Sequence, residues 1–172
     1  AAEACRAGIP RVHLLDGKMR GVLVEELFSE EGVGTMVHTD SYREIRPLKE
    51  EDIPELLSMI ARSVVDSKLV DRNYEDIAAK IDDYYVLTLD DSIVGCVAVY
   101  PYPEHRSAEL GCLYIKHRHE GRGYGRTLCE FARKKAEEMG VDFIFALSQS
   151  AVHYFRDRMH YAEFSRDSLP PE

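Results

Sequence analysis

Three glycines at alternate positions, Gly121, Gly123 and Gly125, separate an apolar run, ELGCLYI, from a stretch of helical periodicity, TLCEFARKKAEEMG. Glycine lets the backbone approach a ligand closely, and the successive N–H groups of a helix start make an anion site. Phosphate or pyrophosphate is the ligand such a turn suits. The same spacing also opens ordinary αβ units, so GxGxG by itself leaves a purely structural role open. A dinucleotide-binding fingerprint fits poorly, because no third glycine follows at its spacing and the preceding runs read as a hairpin. A Walker loop is excluded, because no GK[ST] follows. The four cysteines, Cys5, Cys96, Cys112 and Cys129, lack CxxC spacing, and the seven histidines form no HxxxH or HExxH pattern. Free thiols and no metal are therefore expected.

The elements that must hold this turn can be placed from periodicity. A strand is predicted around YREIRP, then a helix opened by KEEDIP with Pro54 in its first turn and Leu56, Leu57, Ile60 and Val64 on one face. A second helix is predicted from Tyr74 to Ile81. YYVLTLD and SIVGCVAVYPY are β-rich runs split by Asp90 and Asp91, and read as an antiparallel hairpin with a tight turn. ELGCLYI is the next strand, and the helix after the glycines ends on Gly140. VDFIFALS reads as a strand, AVHYFRDRM as a helix and HYAEFSR as a last strand.

Residues 1–38 differ in kind. They hold a short helical piece, the apolar RVHLL, a DG turn, an amphipathic GVLVEELF and a Gly-punctuated GVGTMV, joined to the rest through HTDSY. This reads as the end of an α/β domain with too few elements to form a core alone.

The chain has 172 residues, 45% of them hydrophobic, enough for one sizeable core and not for two. Its net charge of -9 argues against nucleic acid or an anionic membrane as the main partner, leaving room for a local basic pocket. No apolar run approaches the roughly 20 residues needed to span a bilayer. With no basic start followed by an apolar stretch at the N-terminus, a cytoplasmic location is expected.

Over about residues 42 to 167 the chain resembles the GNAT acetyltransferases, whose order of strands and helices matches the one above. Their pyrophosphate signature, [Q/R]-x-x-G-x-[G/A], falls on Glu120, Gly121, Arg122, Gly123, Tyr124 and Gly125. Both glycines match, and Glu120 stands in place of Gln or Arg. A carboxylate beside a pyrophosphate is unfavourable, so its side chain must turn to solvent or be offset by Arg118, Arg122 and Arg126. The resemblance implies an α+β (α/β) GNAT fold with a mixed, mostly antiparallel sheet flanked by helices, behind an N-terminal α/β remnant. It implies acetyl-CoA as co-substrate, with backbone groups of the strand at Leu113, Tyr114 and Ile115 pairing with the pantetheine amides.

Within that class the chain resembles the N-acetylglutamate synthase family. HLLDGKMRGVLVEELFSEEGVGTMV is similar to the tail of the amino-acid-kinase domain that precedes their acetyltransferase, and LVDR, AELGCLYI, FALS and DSLP are similar to their later motifs. The implied division is a kinase-domain remnant at 1–38 and an acetyltransferase domain at 39–172, its final strand region truncated. The implied reaction is acetyl transfer to the α-amine of L-glutamate, in arginine biosynthesis. By resemblance Glu109 is the general base and Ser148 the acid on the thiolate side, with Tyr154 as its rival. Arg72 of LVDR matches an arginine that binds glutamate, as a planar guanidinium suits a carboxylate. Cys112 matches a position lining the glutamate pocket, although its strand parity opposes Glu109 unless a bulge intervenes. Glu25, Gly32 and Gly34 lie where the family forms an arginine effector site, and no working feedback site is expected here. The family relation is compatible with a homo-oligomer. Alternatives are a GNAT enzyme for another small amine and a module that binds acetyl-CoA without turnover.

Overall fold

The computed structural model describes residues 1–29, 32–38, 43–66, 69–165 and 169. The junction at residues 39–42 and most of DSLP therefore lie outside the described residues. The chain divides into two compact units, Ala1–Arg43 and Glu44–Glu172.

In the first unit α1 (Ala2–Arg6) and α2 (Val22–Phe28) accompany a two-stranded antiparallel sheet of β1 (Arg11–Leu14) and β2 (Thr35–His38). Glu26 organises it. Its carboxylate meets His13 Nδ1 at 2.6 Å and accepts from the amides of Val33 and Gly34 at 2.7 and 2.9 Å. Cys5 is buried, whereas Leu23, Val24, Leu27 and Phe28 of α2 are exposed, as expected of a piece too small to enclose a core.

The second unit is built on a five-stranded sheet in the order β3-β4-β5-β6-β7. These strands are β3 (Arg43–Pro47), β4 (Tyr84–Leu89), β5 (Ser92–Tyr102), β6 (Ser107–Ile115) and β7 (Phe143–Phe145). β4 with β5 and β5 with β6 are antiparallel, and β6 with β7 is parallel. The mixed sheet expected from the sequence is present. Asp90 and Asp91 both have positive φ, 51° and 65°, as a tight type I′ hairpin turn requires.

One face of the sheet is covered by α3 (Ile53–Val65) and α4 (Tyr74–Ala78), the other by α5 (Tyr124–Glu138). On α3, Ile53, Leu56, Met59 and Ile60 are buried at helical spacing. The α4 start is fixed by a capping box: the Asn73 side chain accepts from the Asp76 amide, and the Asp76 carboxylate from the Asn73 amide, each at 2.9 Å. α5 buries Leu128, Cys129, Ala132 and Ala136, and it ends at Gly140 with φ 72°.

Three expectations need correction. The predicted second helix stops at Ala78, and Ile81–Asp83 is a separate 3-10 turn. VDFIFALS pairs as a strand only at Phe143–Phe145, and HYAEFSR forms no strand at residues 160–165. A β strand exists only where a neighbour completes its ladder. β7 meets β6 at Ser107↔Phe143, Ala108↔Ile144 and Glu109↔Phe145 and then diverges, so apolar residues beyond that point have the composition of a strand without a partner. AVHYFRDRM is helical, wound as a π-turn over Tyr154–Arg158.

Candidate active site

On an ideal strand Glu109, Gly111 and Leu113 would share one face and Leu110 and Cys112 the other. β6 is bulged. Its pairing passes from Ala98↔Gly111 to Cys96↔Tyr114, so two residues of β6 oppose one of β5. Cys112 takes the left-handed φ of 48° that lets the extra residue fit. Parity reverses there: Cys112 and Tyr114 pack toward α3 and α4, Leu113 and Ile115 toward α5. Glu109 is in register with Tyr100, which also lies on the α3/α4 side. The bulge thus brings Cys112 to the face of Glu109. Tyr102 donates to Glu109 Oε2 at 3.3 Å.

Arg72 reaches the same face from the segment just before the α4 cap. One guanidinium nitrogen donates to Val70 O at 2.8 Å. Burial works against its charge, but the facing Cys112, Tyr100 and Tyr84 outweigh this and hold it above the ordinary arginine value. Tyr100 donates to the Tyr84 hydroxyl at 2.6 Å, and burial raises both phenols, so both stay neutral. Gly111 is required here, because a Cβ on it would meet the Tyr100 ring at 2.5 Å. Sequence reasoning missed Tyr84 and Tyr100. The alternation of Cys96, Ala98 and Tyr100 along β5 was the available signal for the second of them.

Beyond the last β6–β7 pair the two segments separate around a cavity of about 260 Å³. Cys112, Leu113, Ile115, Ser148 and Phe155 are among the residues lining it. The Lys116 amide donates to Val94 O of β5 at 2.8 Å. By alternation the amides of Ile115 and Leu113 point the other way, toward the side from which β7 has departed. An extended ligand with amide groups has a strand edge to pair with. Ser148 Oγ accepts from the Ala151 amide at 2.9 Å, which fixes its oxygen and leaves its O–H to donate. Glu109 stands at the last paired position, at the inner end of this opening.

The glycine turn closes the other end. Gly121 and Gly123 have φ of 72° and 83°, with nothing within 4 Å of a Cβ built on either. They are glycine because of backbone conformation, and the space over them is open. Gly123 is the N-cap of α5, whose first amides have no partner within the helix. Glu120 is among the residues lining the cavity, its side chain 57% exposed and 3.3 Å from His117 Nδ1. Arg126 is tied to Glu130 at 2.8 Å. Burial first, then the charges of Arg118, Arg122 and Lys116, hold His119 below the ordinary imidazole value. Arg118, Arg122 and Lys116 thus place positive charge beside this turn on an acidic chain.

Tyr154, like Glu109 and Arg72, is not among the residues lining the cavity, although its neighbour Phe155 is. A Cβ on Gly125 would meet its hydroxyl at 2.9 Å, so ring and glycine are packed against each other at the start of α5. Burial and the neighbouring Cys129 push its phenol up to about 12. In the first unit, a Cβ on Gly34 would strike the Leu15 side chain at 2.3 Å, and Gly32 has φ 59°. Glu25 lies on the exposed part of α2. Among the described residues no group of three His, Cys, Asp or Glu is placed to hold a metal, and no helix is long and apolar enough to cross a membrane.

A split strand pair, a bulged β6 and a glycine turn capping the following helix together define an acyltransferase fold, and the chain belongs to the acetyltransferase (GNAT) family, matching it over residues 50–161. It is 34% identical over 172 residues to an amino-acid acetyltransferase of Vibrio atlanticus, covering 100% of this chain and 38% of that protein. The N-acetylglutamate synthase of Neisseria gonorrhoeae superposes on it in two solved structures at 30% identity, covering 98% of this chain and 39% of that one. The TM-score is 0.74 for its complex with coenzyme A and N-acetyl-glutamate and 0.80 for its complex with coenzyme A and L-arginine. The chain therefore spans about two fifths of the length of the relatives it matches.

Proposed function

We propose that this chain carries the acetyltransferase site of an amino-acid N-acetyltransferase, moving an acetyl group from acetyl-CoA to the α-amine of L-glutamate. The observation that carries this reading is the bulge at Cys112, which gathers Glu109, Cys112 and the guanidinium of Arg72 on one face beside the opening between β6 and β7. Acetyl-CoA supplies the activated acyl group as a thioester. The N-terminal amides of α5 and the turn from Glu120 to Arg126 hold its pyrophosphate, and the strand edge at Leu113, Tyr114 and Ile115 holds its pantetheine arm. Arg72 takes a substrate carboxylate through a planar fork. Glu109 accepts the ammonium proton, directly or through water, so that the amine can attack. Ser148 donates a hydrogen bond on the thiolate side, where its held oxygen orients the O–H.

Residues 1–38 are read as the end of an amino-acid-kinase-like domain, supported by the compact unit that ends at Arg43 and by relatives that extend well beyond this chain. The test is a thiol-release assay with acetyl-CoA and L-glutamate, with aspartate, glutamine and a polyamine as comparison amines. Glutamate-selective release is expected. Arg72→Ala is expected to remove about 2 to 5 kcal/mol of substrate stabilisation, on the order of 30- to 3000-fold in kcat/KM. Release with another amine would keep the family and refute the substrate; acetyl-CoA binding without release to any amine would refute turnover by this chain.

A further inference from the structure

Two of the four cysteines form a pair that acetyl transfer does not require. Cys96 on β5 and Cys112 on the bulge of β6 both face the α3/α4 core. Their sulfurs are 4.0 Å apart, and the Cys96 thiol donates to Cys112 O at 3.2 Å. Cys96 is fully buried, whereas Cys112 is 4% exposed and lines the cavity. We infer that Cys112 and Cys96 form an oxidisable dithiol, in which a small hydroperoxide entering the cavity converts the pair to a cross-strand disulfide.

The two thiols are unequal in the way such a reaction needs. Cys112 is hydrogen-bonded by Cys96 and faces Arg72, and these pull its thiol below the ordinary cysteine value although burial opposes them. The thiolate is the nucleophile. It attacks the terminal peroxide oxygen, breaking the O–O bond and becoming a sulfenic acid, while the leaving group, hydroxide from hydrogen peroxide or alkoxide from an organic hydroperoxide, takes up a proton to give water or an alcohol. Cys96 keeps its proton, since its hydrogen bond to Cys112 and its burial raise it well above the ordinary value. Its sulfur then attacks Cys112 Sγ. The S–S bond forms, the S–O bond breaks, and the hydroxyl leaves as water with the Cys96 proton. Two thiols are oxidised and one peroxide is reduced.

Geometry favours closure. Both side chains are on one face of adjacent strands, Cys112 two residues from Tyr114, the partner of Cys96, and closure requires the 4.0 Å gap to shorten to a bond of roughly 2 Å. Cys129 is buried on the other face and pushed up to about 12, mainly by burial, and Cys5 is buried in the first unit. Those thiols serve as internal controls. The consequence for the site is direct, because the disulfide removes the thiol facing Arg72.

The whole chain is treated with hydrogen peroxide, quenched, unfolded in an alkylating agent and digested for mass spectrometry. The expected product is one crosslinked peptide pair joining Cys96 to Cys112, reversed by a thiol reductant, with Cys5 and Cys129 alkylated. In Cys96→Ser the crosslink disappears, and Cys112 is trapped by dimedone as the sulfenic acid. Should Cys96 and Cys112 both remain alkylatable while Cys5 or Cys129 oxidises, or should Cys112 pass to the sulfinic acid with Cys96 still reduced, the inference is overturned. The readout is independent of turnover, so it stands or fails apart from the proposed substrate.

Discussion

The two faces of the five-stranded sheet are built from the same strands and do opposite things. Toward α5 the side chains are Leu87, Val97, Val99, Ala108, Leu110 and their like, closing on Leu128 and Ala132, with Tyr85, Tyr154 and Cys129 among them but no charged group. Toward α3 and α4 the inner part is equally apolar, with Ile53, Leu56 and Ile77 at 0% exposure. The same face also carries Arg72, Tyr84, Tyr100, Cys112 and Glu109. One face holds the fold together and the other spends part of its burial on groups that need partners. Buried polar groups persist when they satisfy one another or await a ligand, and Arg72 among two phenols and a thiol is such a group.

The division predicts separable losses. Glu109→Gln should lower kcat by about 10²- to 10⁴-fold, the range for removing a general base, with the melting temperature and acetyl-CoA binding unchanged; a parallel fall in melting temperature would mean that the polar face is structural after all. Leu128→Ala on the opposite face should do the reverse. Truncating a fully buried leucine costs about 2 to 5 kcal/mol of unfolding free energy, measurable by denaturant titration, while the KM for the amine in the surviving folded fraction should not move.

Gly125→Ala probes where the two functions meet. Its new Cβ would sit 2.9 Å from the Tyr154 hydroxyl, an overpacking expected to cost about 1 to 3 kcal/mol. Tyr154→Phe should restore most of it in the double variant. Retained activity in Tyr154→Phe would further sharpen the assignment of the thiolate side to Ser148. The smallest effect belongs to the approach to α3, where Asp52 pairs with Arg46 at 2.6 Å and accepts from the Lys49 amide. The guanidinium beside it holds its carboxyl below the ordinary 3.8. A depressed folded value means that this stabilisation is complete above the unfolded value near 3.8 and is lost as pH falls through the lower folded one. Melting temperatures of the parent and Asp52→Asn, compared at neutral pH and near pH 3, should therefore converge on acidification.

Much of this architecture is legible because it is local. Asp90 and Asp91 predict their turn, and Gly121 and Gly123 predict a turn whose backbone a ligand can approach closely. The apolar spacing from Leu128 to Ala136 predicts α5 and its buried face. The errors sit where an outcome depends on a distant neighbour. Residues 146–148 have strand composition but no ladder partner, because β7 leaves β6 after Phe145. Residues 160–165 fail as a strand, with no ladder pairing for them among the described residues. Tyr154 reads equally well as an acid or as packing, and its contact with Gly125 is likewise a matter of tertiary structure.

The sequence by itself determined the order of elements, the glycine turn with its helix, the absence of metal-ligand spacing and the family resemblance, because each depends on residues close along the chain or on a motif of short reach. Only the tertiary structure decided that Cys112 faces the side of Glu109, that Arg72 arrives there among Tyr84 and Tyr100, and that Cys96 lies 4.0 Å from Cys112. The physical reason is the bulge in β6. One extra residue, without a ladder partner between the pairs Ala98↔Gly111 and Cys96↔Tyr114, inverts the strand's parity, and side-chain direction in a sheet is set by ladder register rather than by residue type.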